Sequence, residues 1–410
     1  MAFRWLDYYE IDELFSEEEK MTRSVVRQFM EQEIKPHIVS AFHQEKPLNV
    51  REMALGMGGL GIIGAFVPRQ YGAAGTNYVT YGLICQEAER ADSALRSFIA
   101  VESALVMYPI LRFGSEAQRR RWLPPMAKGE VIGCFGLTEP NHGSDIASLE
   151  TVARKDGDTW ILNGSKQWIS EASVADVAVV WARTDEGIRG FLVERGTEGF
   201  SQGFQSRKGS MRAGDVGELA FADCRIPSEN ILPESQGIKS ALSCLNLARY
   251  GISWGALGAA MDCYETALNY ARGREQFGAP IASYQLVQEK LVAMLMEITK
   301  GQLLSYRLGR LLDEGKAKPP QISLAKKNNV AVARKCAMTA RELLGANGIS
   351  LDYSPMRHMA NIESVYTYEG TDDIHTLIIG HDITGFSAFG GPRIRTLPQE
   401  PAGTSEAGPG

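Results

Sequence analysis

The sequence predicts an α+β protein in which an N-terminal helical domain and a C-terminal helical bundle flank a central antiparallel β domain. Three regions of differing period predict it. From Ser16 to about Lys128, apolar residues recur at three and four, as in Met21, Val25, Val26, Phe29 and Met30, the spacing of amphipathic helices. Between about Val131 and Pro233 the chain breaks into short β-prone runs separated by turn residues. From about Gly237 the helical period returns and holds to roughly Phe389. The implied domains are 1–130, 131–236 and 237–395.

Four or five helices are expected in the first region. Lys35-Pro36, the glycines from Gly56 to Gly64, and Gln70-Tyr71-Gly72 mark their boundaries. In the second, Thr151–Ala153, Thr159–Leu162, Val177–Ala182, Gly190–Val193 and Glu218–Phe221 read as strands, with Asp156-Gly157 and Asn163-Gly164 as tight turns. No long helix interrupts them, which predicts antiparallel pairing rather than β-α-β crossovers. In the third, Cys244–Arg272, Gln285–Leu312 and Ile322–Leu344 are long amphipathic helices, the last two separated by Gly315 and Pro319-Pro320. The Pro/Gly/Ser-rich residues 396–410 predict a disordered tail.

Composition narrows the function classes. Lys and Arg number 43 against 49 Asp and Glu, a net charge of −6, so there is no basic footprint for nucleic acid. Six scattered cysteines without a C-x-x-C pair predict neither a disulfide framework nor a zinc site, and suit a reducing compartment. The longest uncharged apolar stretch, Ala54–Val67, has 14 residues and five glycines. A membrane span needs about 20. The acidic N-terminus MAFRWLDYYEID is no secretory signal, so the expectation is a cytoplasmic protein, or a mitochondrial-matrix one in a eukaryote.

Two motifs are decoys. Gly56-Met-Gly-Gly-Leu-Gly61 matches G-x-G-x-x-G, but a helix rather than a strand precedes it over Asn49–Leu55, so it reads as a structural turn. The six histidines never fall into a paired metal spacing, and no metal is expected. There is also no G-x-S-x-G elbow for hydrolase chemistry.

Two clusters carry chemistry. Cys134–Asp145 holds glycines, a proline and short polar side chains, a loop suited either to a planar or phosphorylated ligand or to a turn-rich start of the β domain. After it, Trp168-Ile-Ser170 ends a strand with an aromatic face beside a hydroxyl. The second cluster is Thr367–Asp373. Glu369 lies between Tyr368 and Gly370 with no cation nearby in sequence, a setting in which a carboxylate becomes a general base. The same stretch reads equally as a helix start capped by Thr371, and both readings can hold.

Phe135–Ser144 (FGLTEPNHGS), Trp168-Ile-Ser170, Arg274-Glu-Gln-Phe-Gly278, Gln285-Leu-Val-Gln288, Glu342–Gly348 (ELLGANG) and Tyr368-Glu-Gly-Thr371 occur in one order. Through them the chain resembles the acyl-CoA dehydrogenase family from about Ser16 to Phe389. Leu95-Arg-Ser97, Leu245–Gly251 and Thr367–Thr371 make it most similar to the glutaryl-CoA dehydrogenase group. The resemblance implies that the C-terminal region is a four-helix bundle, and it implies FAD, an acyl-CoA thioester substrate, an electron-transferring flavoprotein as acceptor, and a homotetramer built as a dimer of dimers.

It also implies roles. Glu369 stands at the catalytic base position and takes the α-proton while hydride leaves the β-carbon. Phe135, Leu137, Thr138, Gly143, Ser144, Trp168, Ile169 and Ser170 line the flavin, and Thr371 and Asp373 add to the cofactor contacts. Arg274, Gln285, Glu342, Leu343, Leu344, Gly345 and Ala346 reach the FAD of a neighbouring subunit. Arg96, Ser97, Ser144, Asn246, Arg249, Tyr250, Tyr368 and Gly370 face the acyl-CoA.

Arg96 narrows the substrate. It interrupts the mostly apolar helical stretch Ala91–Leu105, and a buried guanidinium needs an anion. Either Glu89, two turns earlier on the same helix face, pairs with it at the surface, or a distal substrate carboxylate does. The resemblance favours the carboxylate. The chain departs from the group's usual pattern at Ala94-Leu95, Val101–Ala104, Ser170–Ala172 and Ala346; Ser170 keeps the hydroxyl, while the changes near Arg96 and at Glu171-Ala172 reshape the acyl pocket and open it to bulkier dicarboxylates such as benzylsuccinyl-CoA. A carboxylate placed as in glutaryl-CoA can leave as carbon dioxide after oxidation, whereas a succinyl-type substrate is simply desaturated. More distant readings are an acyl-CoA oxidase, a monooxygenase, against which retention of Glu369 argues, and an FAD-free interaction protein on the same scaffold.

Overall fold

A computed structural model describes residues 4–389. The expected tail over 396–410 and the end of the third domain lie outside the described residues.

The N-terminal region is helical. Helix α1 (Glu17–Phe29) starts on Ser16, whose side chain accepts from the Glu19 amide while Glu19 reciprocates. It runs through a π-helical turn, Met30–Ile34, into α2 (Lys35–Gln44). Lys35-Pro36 is therefore not a boundary. Pro36 sits in the first turn of α2, where its missing N–H is tolerated, and the wide π turn before it gives its ring room.

Helix α3 (Val50–Gly59) contains three of the glycines expected in a turn. A Cβ on Gly58 would lie 2.1 Å from the Lys128 carbonyl, and one on Gly129 2.0 Å from the Ala54 oxygen. The glycines let α3 press against the end of α7 (Glu116–Ala127), so the dinucleotide-like motif is a packing device. Between these lie α4 (Tyr78–Ala91), α5 (Ser93–Ala100), a π segment (Val101–Met107) and α6 (Tyr108–Phe113). Counting α1–α2 and α5–α6 as single rods, five helices form, as the periodicity predicts. The rod Ser93–Phe113 is long and apolar enough to cross a membrane, but it is 89% buried inside the protein.

The β domain holds β1 (Gly133–Gly136), β2 (Val152–Asp156), β3 (Thr159–Ser170), β4 (Val177–Thr184), β5 (Gly187–Glu194), β6 (Phe200–Phe204) and β7 (Val216–Pro227). The pairs β2–β3, β3–β7, β6–β7 and β4–β5 are antiparallel. However, β1 runs parallel to β4 from Gly133↔Val177 to Gly136↔Val180, and β2 meets β4 in parallel at Val152↔Arg183. The sheet is mixed, which corrects the antiparallel expectation. A parallel pair needs a crossover but not a helical one, and the β2–β3 hairpin serves as that connection. Asp156-Gly157 makes its turn, with Gly157 at φ 59°. Asn163-Gly164 does not turn: it is a bulge inside β3, where Gly164 at φ 144° fits against Thr151. Strands β1 and β6 were not among the expected strands.

The C-terminal region packs α8 (Gly237–Gly273), α9 (Gln285–Asp313), α10 (Pro319–Leu343) and α11 (Ser354–Thr367) as a four-helix bundle, with α12 (Asp372–Thr384) against α10. Pro319 and Pro320 occupy the first turn of α10. Helix α8 joins the two helical regions. Its first half, including Cys244, Leu245, Tyr250 and Trp254, packs with the N-terminal helices, and residues from Ile252 to Ala271 fill the bundle core.

Candidate active site and flavin-binding surface

The site begins where α4 ends. Asp92 is extended at φ −164°, ψ 147° and caps α5 by accepting from the Ala94 amide at 2.9 Å. Glu89 and Arg96 therefore lie on successive helices rather than on one helix face. They still meet: Arg96 Nε donates to Glu89 Oε2 at 2.8 Å, and both side chains are fully buried. The pair is internal, not a surface pair. A second Arg96 nitrogen donates to the Tyr368 hydroxyl, and the guanidinium carbon lies 5.4 Å from the Tyr368 ring centre. Arg96 Nη1 and Glu89 Oε1 are buried without hydrogen-bond partners. Gly255 on α8 leaves the space, since a Cβ there would fall 2.1 Å from Glu89 Oε2 and 2.8 Å from Arg96 Cγ. Burial penalises the Arg96 cation, yet Tyr368, Glu89 and Glu369 more than offset this and hold its pKa above the ordinary value.

Glu369 occupies the short connection between α11 and α12. Its φ of 53° is left-handed, Gly370 follows at φ 95°, and Thr371 caps α12 through the Ile374 amide. The predicted cap and the predicted acid thus share one turn. Glu369 Oε2 is buried and makes no hydrogen bond. Its surroundings are not neutral: Arg96, Lys326 and Arg249 all act on it. Burial is the largest influence and leaves its pKa above the usual carboxylate value despite those cations. Arg249 Nε donates to the Glu369 carbonyl oxygen at 2.7 Å, and Arg249 Nη1 reaches Asn246 Oδ1 at 3.2 Å.

Tyr250 departs from expectation. One position along α8 turns its side chain to the other face, where it packs among Tyr78, Tyr81 and Trp254 and its hydroxyl donates to the Tyr78 carbonyl at 2.7 Å. It belongs to the buried core rather than to a ligand-facing surface.

The Cys134–Asp145 cluster is held by a buried ion pair. Lys166 Nζ on β3 donates to Glu139 Oε1 at 2.8 Å and to the Leu137 carbonyl at 3.2 Å, and Glu139 also accepts from the Thr151 amide at 2.8 Å. Burial opposes ionisation of Glu139, but the Glu150 amide, Lys166 and Thr151 bring its pKa down to about 2. Burial pushes Lys166 down to about 8. This frame also ties the Gln167 amide to the Thr138 carbonyl at 2.9 Å. The side chains of Phe135, Leu137 and Ile169 are buried in the core, so only their backbones can meet a ligand. Trp168 sits at a bulge with φ 62° and is 57% exposed, and Ser170 Oγ lies 3.4 Å from Ser97 Oγ. Gly143 and Ser144 are exposed, and a Cβ on Gly143 would meet nothing within 4 Å.

A third group is gathered elsewhere. Tyr270, Arg274, Gln276, Leu344 and Gly345 line a cleft of about 290 Å³ on the outside of the bundle, with Leu343 and Ala346 beside them. Gln285 is exposed in the first turn of α9, and Glu342 pairs with Lys290 at 3.3 Å. Asp373 is exposed in the first turn of α12.

Sequence reasoning missed two residues. Lys326 on α10 is buried and donates to the Tyr368 carbonyl and, at 2.6 Å, to the Gly370 carbonyl. His375 is buried against Gly370 and Arg249 with neither ring nitrogen hydrogen-bonded. Burial, then Lys326 and Arg249, push His375 down to about 2, so it is neutral. A lysine beside the apolar residues Ile322, Ala325 and Val330 of the buried helix face was the available signal.

Comparison with known proteins places this geometry. Family models described as the acyl-CoA dehydrogenase N-terminal, middle and C-terminal domains match residues 16–130, 134–224 and 235–384. The chain belongs to the acyl-CoA dehydrogenase family. It is 36% identical over 372 residues to the human mitochondrial short-chain specific acyl-CoA dehydrogenase, covering 89% of this chain and 90% of that one. A glutaryl-CoA dehydrogenase from Mycobacterium smegmatis in complex with FADH2 superposes with a TM-score of 0.92 at 48% identity, covering 95% of this chain and 100% of that one. The butyryl-CoA dehydrogenase of Megasphaera elsdenii gives 0.86 at 31%, over 90% and 98%.

This acyl-CoA dehydrogenase is a flavoprotein with FAD as its cofactor. Its own surface fits that group. An exposed indole stands beside a strand-end hydroxyl, and open ground over Gly143 lets a ligand approach the backbone.

Proposed function

We propose that the enzyme α,β-dehydrogenates a carboxylated acyl-CoA of the glutaryl type. The observation that carries this reading is the buried, unpartnered Nη1 of Arg96, on a guanidinium whose charge acts on the equally buried, unpartnered Glu369 carboxyl. An unpaired buried donor is costly, and a substrate carboxylate supplies the missing acceptor as a charge-assisted hydrogen bond. Glu89 holds the guanidinium in place and Tyr368 takes a second donor, so the anion site is pre-organised.

Glu369 takes the α-proton. Its burial raises its proton affinity, which suits an acceptor for a weak carbon acid. Arg249 holds the backbone of the base, and Ser97, Ser144 and Asn246 complete the acyl-CoA surface. FAD, when bound, supplies the acceptor for the hydride that leaves the β-carbon. Trp168 and Ser170, the Thr138–Ser144 loop, and Thr371 with Asp373 would hold it within the subunit. The cleft at Arg274 and Leu343–Ala346, with Gln285 and Glu342, would receive part of a neighbour's FAD in a homotetramer. An electron-transferring flavoprotein is the proposed acceptor.

The test is an anaerobic flavin-reduction screen over glutaryl-, succinyl-, benzylsuccinyl- and butyryl-CoA, with carbon dioxide measured. Rapid bleaching with glutaryl-CoA and stoichiometric carbon dioxide is the expected result. Preference for butyryl-CoA would remove Arg96 from substrate selection. Bleaching by benzylsuccinyl-CoA without carbon dioxide would assign a bulkier, non-decarboxylated substrate.

A further inference from the structure

Lys326 is a buried ammonium whose hydrogen bonds go to main-chain carbonyls, those of Tyr368 and Gly370, and not to a carboxylate. Between those two, the Glu369 carbonyl is taken by Arg249 Nε at 2.7 Å. Three consecutive carbonyl oxygens are thus captured by two cations, one from α8 and one from α10. The loop they hold is the one in which Glu369 is left-handed at φ 53° and Gly370 lies at φ 95°. A non-glycine residue stays in that region only where its surroundings over-determine it. Burying an ammonium is itself unfavourable, so its presence here points to a task at these carbonyls.

We infer that Lys326 is a positioning residue for proton abstraction: its two carbonyl hydrogen bonds fix the Tyr368–Gly370 backbone that aims the Glu369 carboxyl, and its charge favours the carboxylate form. This rests on the reading of Glu369 as the base. The charged and titratable groups that face Glu369 are Arg96 from α5, Arg249 from α8, Lys326 from α10 and Glu89, Tyr81 and Cys85 from α4, with Tyr368 beside it and neutral His375 behind Gly370 from α12; burial keeps the Tyr81 hydroxyl and the Cys85 thiol protonated. Burial pushes the Lys326 amine down to about 7, with Arg249 and Arg96 adding to that and Glu369 opposing it. Its charge is therefore the variable one, while the two arginines stay charged.

The experiment uses the FAD-loaded Lys326→Met, Lys326→Gln and Lys326→Arg enzymes. Two readouts are taken: amide hydrogen exchange in peptides spanning Tyr366–Ile374, and the pH dependence of anaerobic flavin reduction. Lys326→Met is expected to speed exchange at the loop about tenfold, corresponding to a looser local opening equilibrium. It should lower the reduction rate roughly 100-fold with little change in KM, and move the acidic limb about one pH unit upward. Lys326→Gln, which keeps a donor without charge, should retain most of the exchange protection yet show the same shift of the limb. Lys326→Arg should restore the limb. Should Lys326→Met not fold, Lys326→Gln alone decides, since a purely structural lysine predicts no shift of the limb.

Unchanged exchange together with an unshifted limb in any folded neutral variant would overturn the inference. If the wild-type enzyme is reduced by none of the acyl-CoAs, the proposed function fails, and wild-type exchange in the neutral variants would then reject the clamp separately.

Discussion

Arg96 Nε donates to Glu89 Oε2 at 2.8 Å with neither side chain in contact with solvent, and each partner keeps one further buried polar atom unpaired. A buried ion pair that is only partly satisfied contributes little net stability. It makes sense as a site held ready for a third charged group. The first prediction follows from that arrangement.

Arg96→Ala should abolish the preference for carboxylated substrates. Reduction by glutaryl-CoA is expected to slow by roughly 100-fold or more relative to butyryl-CoA, about 3 kcal/mol of lost ion pairing. The variant should also unfold more easily, since removing one partner of a buried pair costs about 3–5 kcal/mol. Parallel stopped-flow and thermal-melt measurements check both parts, and equal rate losses on the two substrates would exclude Arg96 from recognition.

Glu369→Gln should retain FAD and lose roughly 10²–10⁴ in the rate of flavin reduction. With Glu369 as the proposed base, the active form in the unmodified enzyme is the carboxylate. Because burial raises the Glu369 pKa, that form is lost as pH falls through a value above the ordinary carboxylate range. Reduction should therefore be slow in acid and rise with pH, with its limb above about 4.5. A pH-rate profile by stopped flow reads this directly.

Gly255→Ala places a methyl 2.1 Å from Glu89 Oε2 and 2.8 Å from Arg96 Cγ. Both distances are shorter than a Cβ can tolerate, so the pair must shift. The expected cost is about 1–3 kcal/mol of stability, with a larger loss on glutaryl-CoA than on butyryl-CoA. An enzyme with unchanged selectivity would show that the position of this pair does not govern the pocket.

Glu139→Gln should loosen the flavin-side loop. It leaves Lys166 buried without its ion-pair partner, a loss of about 3–5 kcal/mol. In the parent enzyme the Glu139 pKa is depressed to about 2, so its stabilising contribution is present above the unfolded carboxylate pKa near 4.5 and is lost as pH falls toward 2. Acid titration of FAD release should show a steeper loss in the parent than in the variant, which starts weaker.

Much of the site was legible because its chemistry sits in contiguous residues. The FGLTEPNHGS loop, the Trp168–Ser170 strand end and the Thr367–Asp373 turn were found in the sequence, and the predicted Thr371 cap forms through the Ile374 amide. What escaped was contact across the chain. Lys326 reaches carbonyls 42 and 44 positions away, and neither its segment nor the loop signals the other. The surroundings of Glu369 looked neutral because its three cations come from α5, α8 and α10.

By itself, the sequence determined the succession of helical, β and helical regions and the family, because hydrophobic period and short motifs are local properties. Only the tertiary structure decided that β1 runs parallel to β4, that Tyr250 faces the core, and that Glu89, Arg96 and Tyr368 share one buried network. Those outcomes depend on which distant segments come together, and burial then turns ordinary charges into strongly interacting ones.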